Sequence, residues 1–96
     1  MGIFDRFRKK QVVDLERRRR EHLLQNGRIT DGTIIDSETK PDGSEIVYYY
    51  YSVHGVDFES SEILSEDQLR EPLKYAPGAK VGVRFDPKQH GNSMLI

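Results

Sequence analysis

Hydrophobic positions along this chain follow two different periods, and the change falls at Gly27. Before it, Ile3, Phe4 and Phe7 recur at helical spacing, and from Gln11 to Gln25 good helix formers run without Gly or Pro. The apolar stripe of this stretch is thin. Val12, Leu15 and Leu23 line up roughly, while Arg17 to Arg20 cover every face of a helix. Such an element belongs on the surface, docked at its ends if anywhere. Asn26-Gly27 reads as a left-handed helix stop.

Beyond Gly27 the period becomes that of strands. Ile29, Thr33, Ile34 and Ile35, within Arg28 to Ser37, are β-branched and favour a pleated surface. Lys40-Pro41-Asp42-Gly43 is turn chemistry, since Pro fixes φ and Gly accepts a positive one. Glu45 to Val53 and Val56 to about Ile63 predict a hairpin joined by His54-Gly55. A tight turn sets Val53 opposite Val56, Tyr51 opposite Phe58 and Tyr49 opposite Ser60. One face then holds Val47, Tyr49, Tyr51, Val53, Val56 and Phe58, and the other Tyr48, Tyr50, Ser52, Asp57 and Glu59. A slip of one residue would bury Asp57 and Glu59, so the pattern specifies its register.

Ser65 with Gln68 three positions on is a capping box, and Pro72 with Pro77-Gly78 limits that helix to about one turn. Lys80 to Asp86 predicts a strand with Val81, Val83 and Phe85 inward, Asp86-Pro87 a turn, and Met94-Leu95-Ile96 a short final strand. The fold class is α+β and mostly β. A surface helix precedes a small antiparallel five-stranded barrel or curled sheet carrying one short helical turn. The division is a helical arm over 1–27 and a barrel over 28–96.

Composition sharpens this picture at three points. Ninety-six residues with 35% hydrophobic content supply one modest core. The absence of cysteine excludes disulfides and thiolate chemistry. No run of apolar residues is long enough for a membrane span or the core of a signal peptide, so the chain is expected in the cytoplasm. Charge adds most. Residues 1–28 hold nine Lys and Arg against four acids, whereas residues 29–96 hold six against twelve. The formal charge of −1 therefore hides a basic arm joined to an acidic body.

Several strand motifs together carry a resemblance. Gly32-Thr33-Ile34-Ile35-Asp36, the tyrosines at 48–51, the His54-Gly55 turn with Phe58 after it, and Pro77-Gly78-Ala79-Lys80-Val81-Gly82-Val83-Arg84-Phe85-Asp86-Pro87 resemble a family of small bacterial β-barrel domains of unknown function. The likeness covers about residues 27–96. Many members of that family are attached to transmembrane helices, and this chain departs by carrying a charged helix in that place. The resemblance implies the barrel fold and brings no catalytic residues with it.

Candidate chemistry is sparse. His22, His54 and His90 lack ligand spacing, and neither a metal nor a cofactor is expected. Asp57 and Glu59, with Glu62 nearby, read as solubilising charges, because an open face does nothing to move a carboxyl pKa. No nucleophile elbow, triad-like signature or phosphate loop is present, so the expectation is not an enzyme. The N-terminus is more suggestive. Ile3, Phe4 and Phe7 beside Arg6, Arg8, Lys9 and Lys10 describe a short interfacial anchor, with Arg17, Arg18, Arg19 and Arg20 as further cations. Each cation near an anionic leaflet contributes about 1 kcal/mol. A myristoylation motif fails because Arg6 occupies its Ser/Thr position.

Tyr48 and Tyr50 are the candidate interface residues of the barrel. They serve either a protein contact or plain cross-strand pairing. These features predict a non-enzymatic interaction or assembly module with an unidentified protein partner, peripheral to the inner membrane when its arm meets anionic lipid. The alternative is a nucleic-acid-binding barrel using Tyr48, Tyr50 and the Arg-rich helix. The acidic body works against a polyanion. A blander expectation also stands: the basic arm lies on the acidic barrel, in its own chain or in a second copy as a homodimer.

Overall fold

A computed structural model describes the backbone from Ile3 and the side chains from Asp14 to Ile96. Helix α1 spans Ile3–Asn26, and strands β1 (Arg28–Thr39), β2 (Glu45–Val53) and β3 (Val56–Ile63) follow. Then come the one-turn helix α2 (Glu66–Leu69) and strands β4 (Lys80–Asp86) and β5 (Gln89–Leu95). The five strands form one antiparallel sheet in the order β3-β2-β1-β4-β5. It curls until its edges β3 and β5 approach each other, giving a nearly closed barrel. The predicted fold class is what the structure shows.

Curling follows from β1. This strand pairs with β2 over Gly32 to Thr39 and with β4 over Arg28 to Thr33. Between Ile34 and Asp36 its register against β2 shifts by a bulge. Without the extra residue, Asp36 would share the inward parity of Ile34. With it, Asp36 stands opposite the outward Tyr48, and Ser37 stands opposite the buried Val47. The bulge bends the strand and keeps a carboxylate out of the core.

The β2–β3 hairpin has the register its pattern predicts, including Val53 with Val56, Tyr51 with Phe58 and Tyr49 with Ser60. Its turn places His54 at φ 50° and Gly55 at φ 81°, the two positive values a tight two-residue turn requires. Tyr49 and Tyr51 are buried and stack at 6.1 Å, while Tyr48 and Tyr50 are exposed. Around the two buried tyrosines lie Ile34, Val47, Val53, Tyr75, Val81, Val83, Phe85 and Leu95. Ser65 caps α2, with the reciprocal bond from Gln68 in place.

Four expectations need correction. Gly27 does not take a left-handed conformation; the positive-φ glycines are Gly43, Gly55 and Gly78. Its smallness serves packing instead, since a Cβ there would sit 2.4 Å from the Leu23 carbonyl oxygen. Val56, expected inward, is 55% exposed: it opens the edge strand β3, whereas its partner Val53 on the inner strand β2 is buried. Strand β5 begins at Gln89 rather than near Met94, since the turn over Pro87-Lys88 is tight enough to pair Gln89 with Asp86. Glu62, read as a surface charge, is buried.

Close packing at β1 makes a stability prediction. A Cβ on Gly32 would lie 2.6 Å from Val83 Cγ2 and 2.9 Å from the Tyr50 carbonyl oxygen. Gly32→Ala is expected to destabilise the fold by about 1–3 kcal/mol, read as a lower urea midpoint with an unchanged slope.

Candidate functional site

The edges β3 and β5 are joined by side chains rather than by a ladder. Ile96 N–H donates to the Gly82 carbonyl, so the even positions of β5 face β4, and Ser93 and Leu95 turn their backbone groups to the open seam. Glu62 of β3 shares the inward parity of Phe58, and its Oε1 accepts from Leu95 N–H at 3.2 Å. Its Oε2 accepts from Gln68 Nε2 of α2 at 3.2 Å. The Arg20 guanidinium of α1 approaches Oε1 at 3.3 Å. One carboxylate thus ties β3 to β5, α2 and α1.

Arg19 holds the other side of the seam. Its Nη1 donates to the Ser93 carbonyl at 2.7 Å and to Asn92 Oδ1 at 3.0 Å. Nε and Nη2 of the same guanidinium fork onto Glu16, at 3.2 and 2.6 Å. That pairing holds the Glu16 carboxyl below its ordinary value of 4.5. One turn on, His22 Nε2 lies 3.4 Å from Asp86. The Asp86 carboxyl is also held low, chiefly by the Lys88 N–H that donates to it at 2.8 Å. Leu23 is fully buried and Met94 nearly so, yet neither belongs to the interior cluster. The α1 contact therefore lies on the outside of β4 and β5, beside the seam. Glu16, Arg19, Arg20, Ser61, Glu62 and Ile63 line a cleft of about 390 Å³ there.

Opposite parity builds a second surface. Along β2, Tyr48 stands between Asp36 of β1 and Ser61 of β3, and Tyr50 between Thr33 and Glu59. Tyr48 Oη donates to Glu38 Oε2 at 3.0 Å. That bond, with the nearby Asp36 charge, pushes its phenol above the usual value of 10.0. Ser52 donates to Asp57 at the hairpin end. Each of the two tyrosines predicted as an interface thus has a carboxylate on one side, Asp36 beside Tyr48 and Glu59 beside Tyr50.

The fold also joins two histidines whose sequence spacing gave no hint of it. The rings of His54 and His90 lie 5.9 Å apart, and His90 packs edge-on against Phe58 and Phe85. Among the described residues no three His, Asp or Glu side chains gather as a metal site.

With this geometry in place, the comparisons take a definite form. The family described as "Domain of unknown function (DUF3592)" matches residues 26–96. The chain belongs to this family. No curated protein and no solved structure matches it. The match begins where α1 ends, so the seam-sealing residues Arg19, Arg20 and Leu23 precede the DUF3592 region, while Glu62, Ser93, Tyr48 and Tyr50 lie inside it.

Placement of the predicted contact residues is uneven. Arg17 and Arg18 are exposed, Arg17 pairing with Asp14 at 3.0 Å, while Arg19 and Arg20 turn onto the barrel. Ile3, Phe4, Arg6, Phe7, Arg8, Lys9 and Lys10 lie outside the residues whose side chains are described. Among the described residues, no helix is long and apolar enough to cross a membrane. Sequence reasoning missed Glu62, although its parity with Phe58 placed it inward.

Two predictions follow from the seam. Glu62→Ala strands Leu95 N–H and is expected to destabilise the protein by about 2–3 kcal/mol; Glu62→Gln, which keeps an acceptor, costs less. Urea denaturation of both variants checks the ranking. The Glu16–Arg19 pair should confer pH dependence. Because the folded carboxyl titrates lower than the unfolded one, its stabilisation is complete above the ordinary value of 4.5 and fades as pH falls through the lowered value. Glu16→Gln should flatten that acid limb in melts taken across the range.

Proposed function

We propose that this chain is a non-enzymatic interaction and assembly module, carried to an anionic membrane surface by its basic helix. The observation that supports it is the division of labour among the arginines. Arg19 and Arg20 hold α1 to the barrel, whereas Arg17 and Arg18 remain on the exposed side. A helix fixed at one end by Arg19, Arg20 and Leu23 carries its barrel to whatever its other face meets.

The sequence N-terminal to this contact supports the same reading. Glu16, Arg19, Arg20 and Leu23 form the barrel-facing stripe, while Arg17, Arg18 and Glu21 stay exposed. The preceding segment contributes Ile3, Phe4, Phe7, Arg6, Arg8, Lys9 and Lys10 in sequence, the mixture of apolar and cationic residues that an interfacial anchor carries. On this reading the protein works in the cytoplasm at the inner face of a bacterial membrane, with the barrel as the end that takes a protein partner. The nucleic-acid alternative fares worse, because Tyr48 and Tyr50 are ringed by Asp36, Glu38 and Glu59.

Co-sedimentation with vesicles tests this directly. The full chain is expected to pellet with phosphatidylglycerol-containing vesicles and not with pure phosphatidylcholine, and added salt should weaken binding. An Ile3→Ser, Phe4→Ser, Phe7→Ser triple variant should stay in the supernatant. If neither protein pellets at low salt, the membrane reading fails.

A further inference from the structure

We infer that the outer face of β1, β2 and β3 is a docking surface for a Lys/Arg-rich segment of another protein. Five carboxylates converge on it: Asp31, Asp36 and Glu38 from β1, and Asp57 and Glu59 from β3. All five are exposed, as are Tyr48 and Tyr50 between them. The tyrosines occupy alternate positions of one strand, so they lie about 7 Å apart and present neighbouring rings.

The arrangement is fixed by the backbone. Tyr48 is opposite Asp36, Tyr50 is opposite Glu59, and Ser52 is opposite Asp57. The bulge at Ile34–Asp36 is what brings Asp36 to this side. Among the described residues, none of the five carboxylates enters an ion pair; the pairs involve Asp14, Glu16, Glu62, Asp67, Glu71 and Asp86. The cation at the border, Lys80, donates to the Thr33 hydroxyl at 3.2 Å instead. Of the ten described acids elsewhere, six have a cationic partner, so five unmatched carboxylates on one face stand out.

Charge complementarity selects the occupant. Carboxylates flanking aromatic rings suit ammonium and guanidinium groups, which bind carboxylates by charge-assisted hydrogen bonds and ring faces by cation–π attraction. Arginine is favoured because its planar guanidinium does both at once. An extended segment directs alternate side chains the same way, with a repeat matching that of Tyr48 and Tyr50. Like-charge repulsion rejects polyanions. The face belongs to the barrel and needs no lipid, so this inference can fail independently of the membrane reading.

Fluorescence anisotropy without vesicles tests it, using the full chain and a labelled peptide of alternating arginine and glycine. A glutamate–glycine peptide and a single-stranded oligonucleotide serve as comparators. Binding should be selective for the arginine peptide and decline with salt. Both Tyr48→Ser with Tyr50→Ser and Asp57→Asn with Glu59→Gln should weaken it by about ten-fold. Glu66→Gln with Asp67→Asn removes as many charges beside α2 and should change little. Circular dichroism of each variant checks that the sheet is retained.

Absence of binding at low salt would overturn the inference, as would equal loss in the α2 variant or preference for the oligonucleotide. Self-association of the full chain that Asp57→Asn with Glu59→Gln abolishes would assign the face to a second copy's basic arm, overturning the choice of partner.

Discussion

The Glu62 carboxylate is the point on which this structure closes. A five-stranded sheet in the order β3-β2-β1-β4-β5 leaves two edges, and here they meet without a ladder. Glu62 bridges them through Leu95 N–H and simultaneously receives Gln68 from α2 and Arg20 from α1. Burying a carboxylate is costly unless hydrogen bonds and a cation offset the lost hydration. Two hydrogen-bond donors and one cation from three elements do that, so the same residue that completes the barrel also ties both helices to it. Tyr49 reinforces the closure from inside, its hydroxyl 2.8 Å from Ser93 Oγ across the interior.

This closure also gives the charge division a structural meaning. Ion pairs at an exposed surface contribute little individually, roughly 0–1 kcal/mol, so a basic helix on an acidic barrel would dock loosely by charge alone. The burial of Leu23 and the Arg19 bonds to the Ser93 carbonyl and Asn92 add apolar contact and directional geometry. Edge strands with free backbone groups invite pairing with other chains. Arg19 and Glu62 occupy two of those groups on β5, the Ser93 carbonyl and the Leu95 N–H, so the docked helix partly covers the seam as well as holding its own position.

Much of this architecture was legible in the sequence, for a definite reason. Period-two patterning fixes which side of a strand faces inward, so Tyr49 and Tyr51 could be separated from Tyr48 and Tyr50 and the hairpin register could be stated. Capping chemistry is equally local, and Ser65 with Gln68 formed as read. What escaped was non-local. The inward parity of Glu62 was available, but its partners Arg20 and Leu95 come from distant segments that no local pattern brings beside it, so it read as a solubilising charge. Gly27 was misread for a related cause: glycine after a helix signals either a left-handed residue or a close approach, and the Leu23 carbonyl decides for the second. The His54–His90 neighbourhood depends on the curl of the whole sheet.

The two faces of β2 divide one alternating strand between the core and the solvent. Inward, Tyr49 and Tyr51 spend their rings on the core and their hydroxyls on β5, reaching Ser93 and the His90 carbonyl. Outward, Tyr48 and Tyr50 retain exposed rings among carboxylates that, among the described residues, have no cationic partner. Like charges gathered on one face oppose folding weakly, and a solvated surface tolerates that cost. A purely solubilising surface is served better by mixing both signs, as the Asp67–Arg70 and Glu71–Lys74 pairs around α2 do. Segregation of acids around two aromatic rings on the barrel, and of arginines on the helix, is the physical feature on which the two proposed recognition surfaces rest.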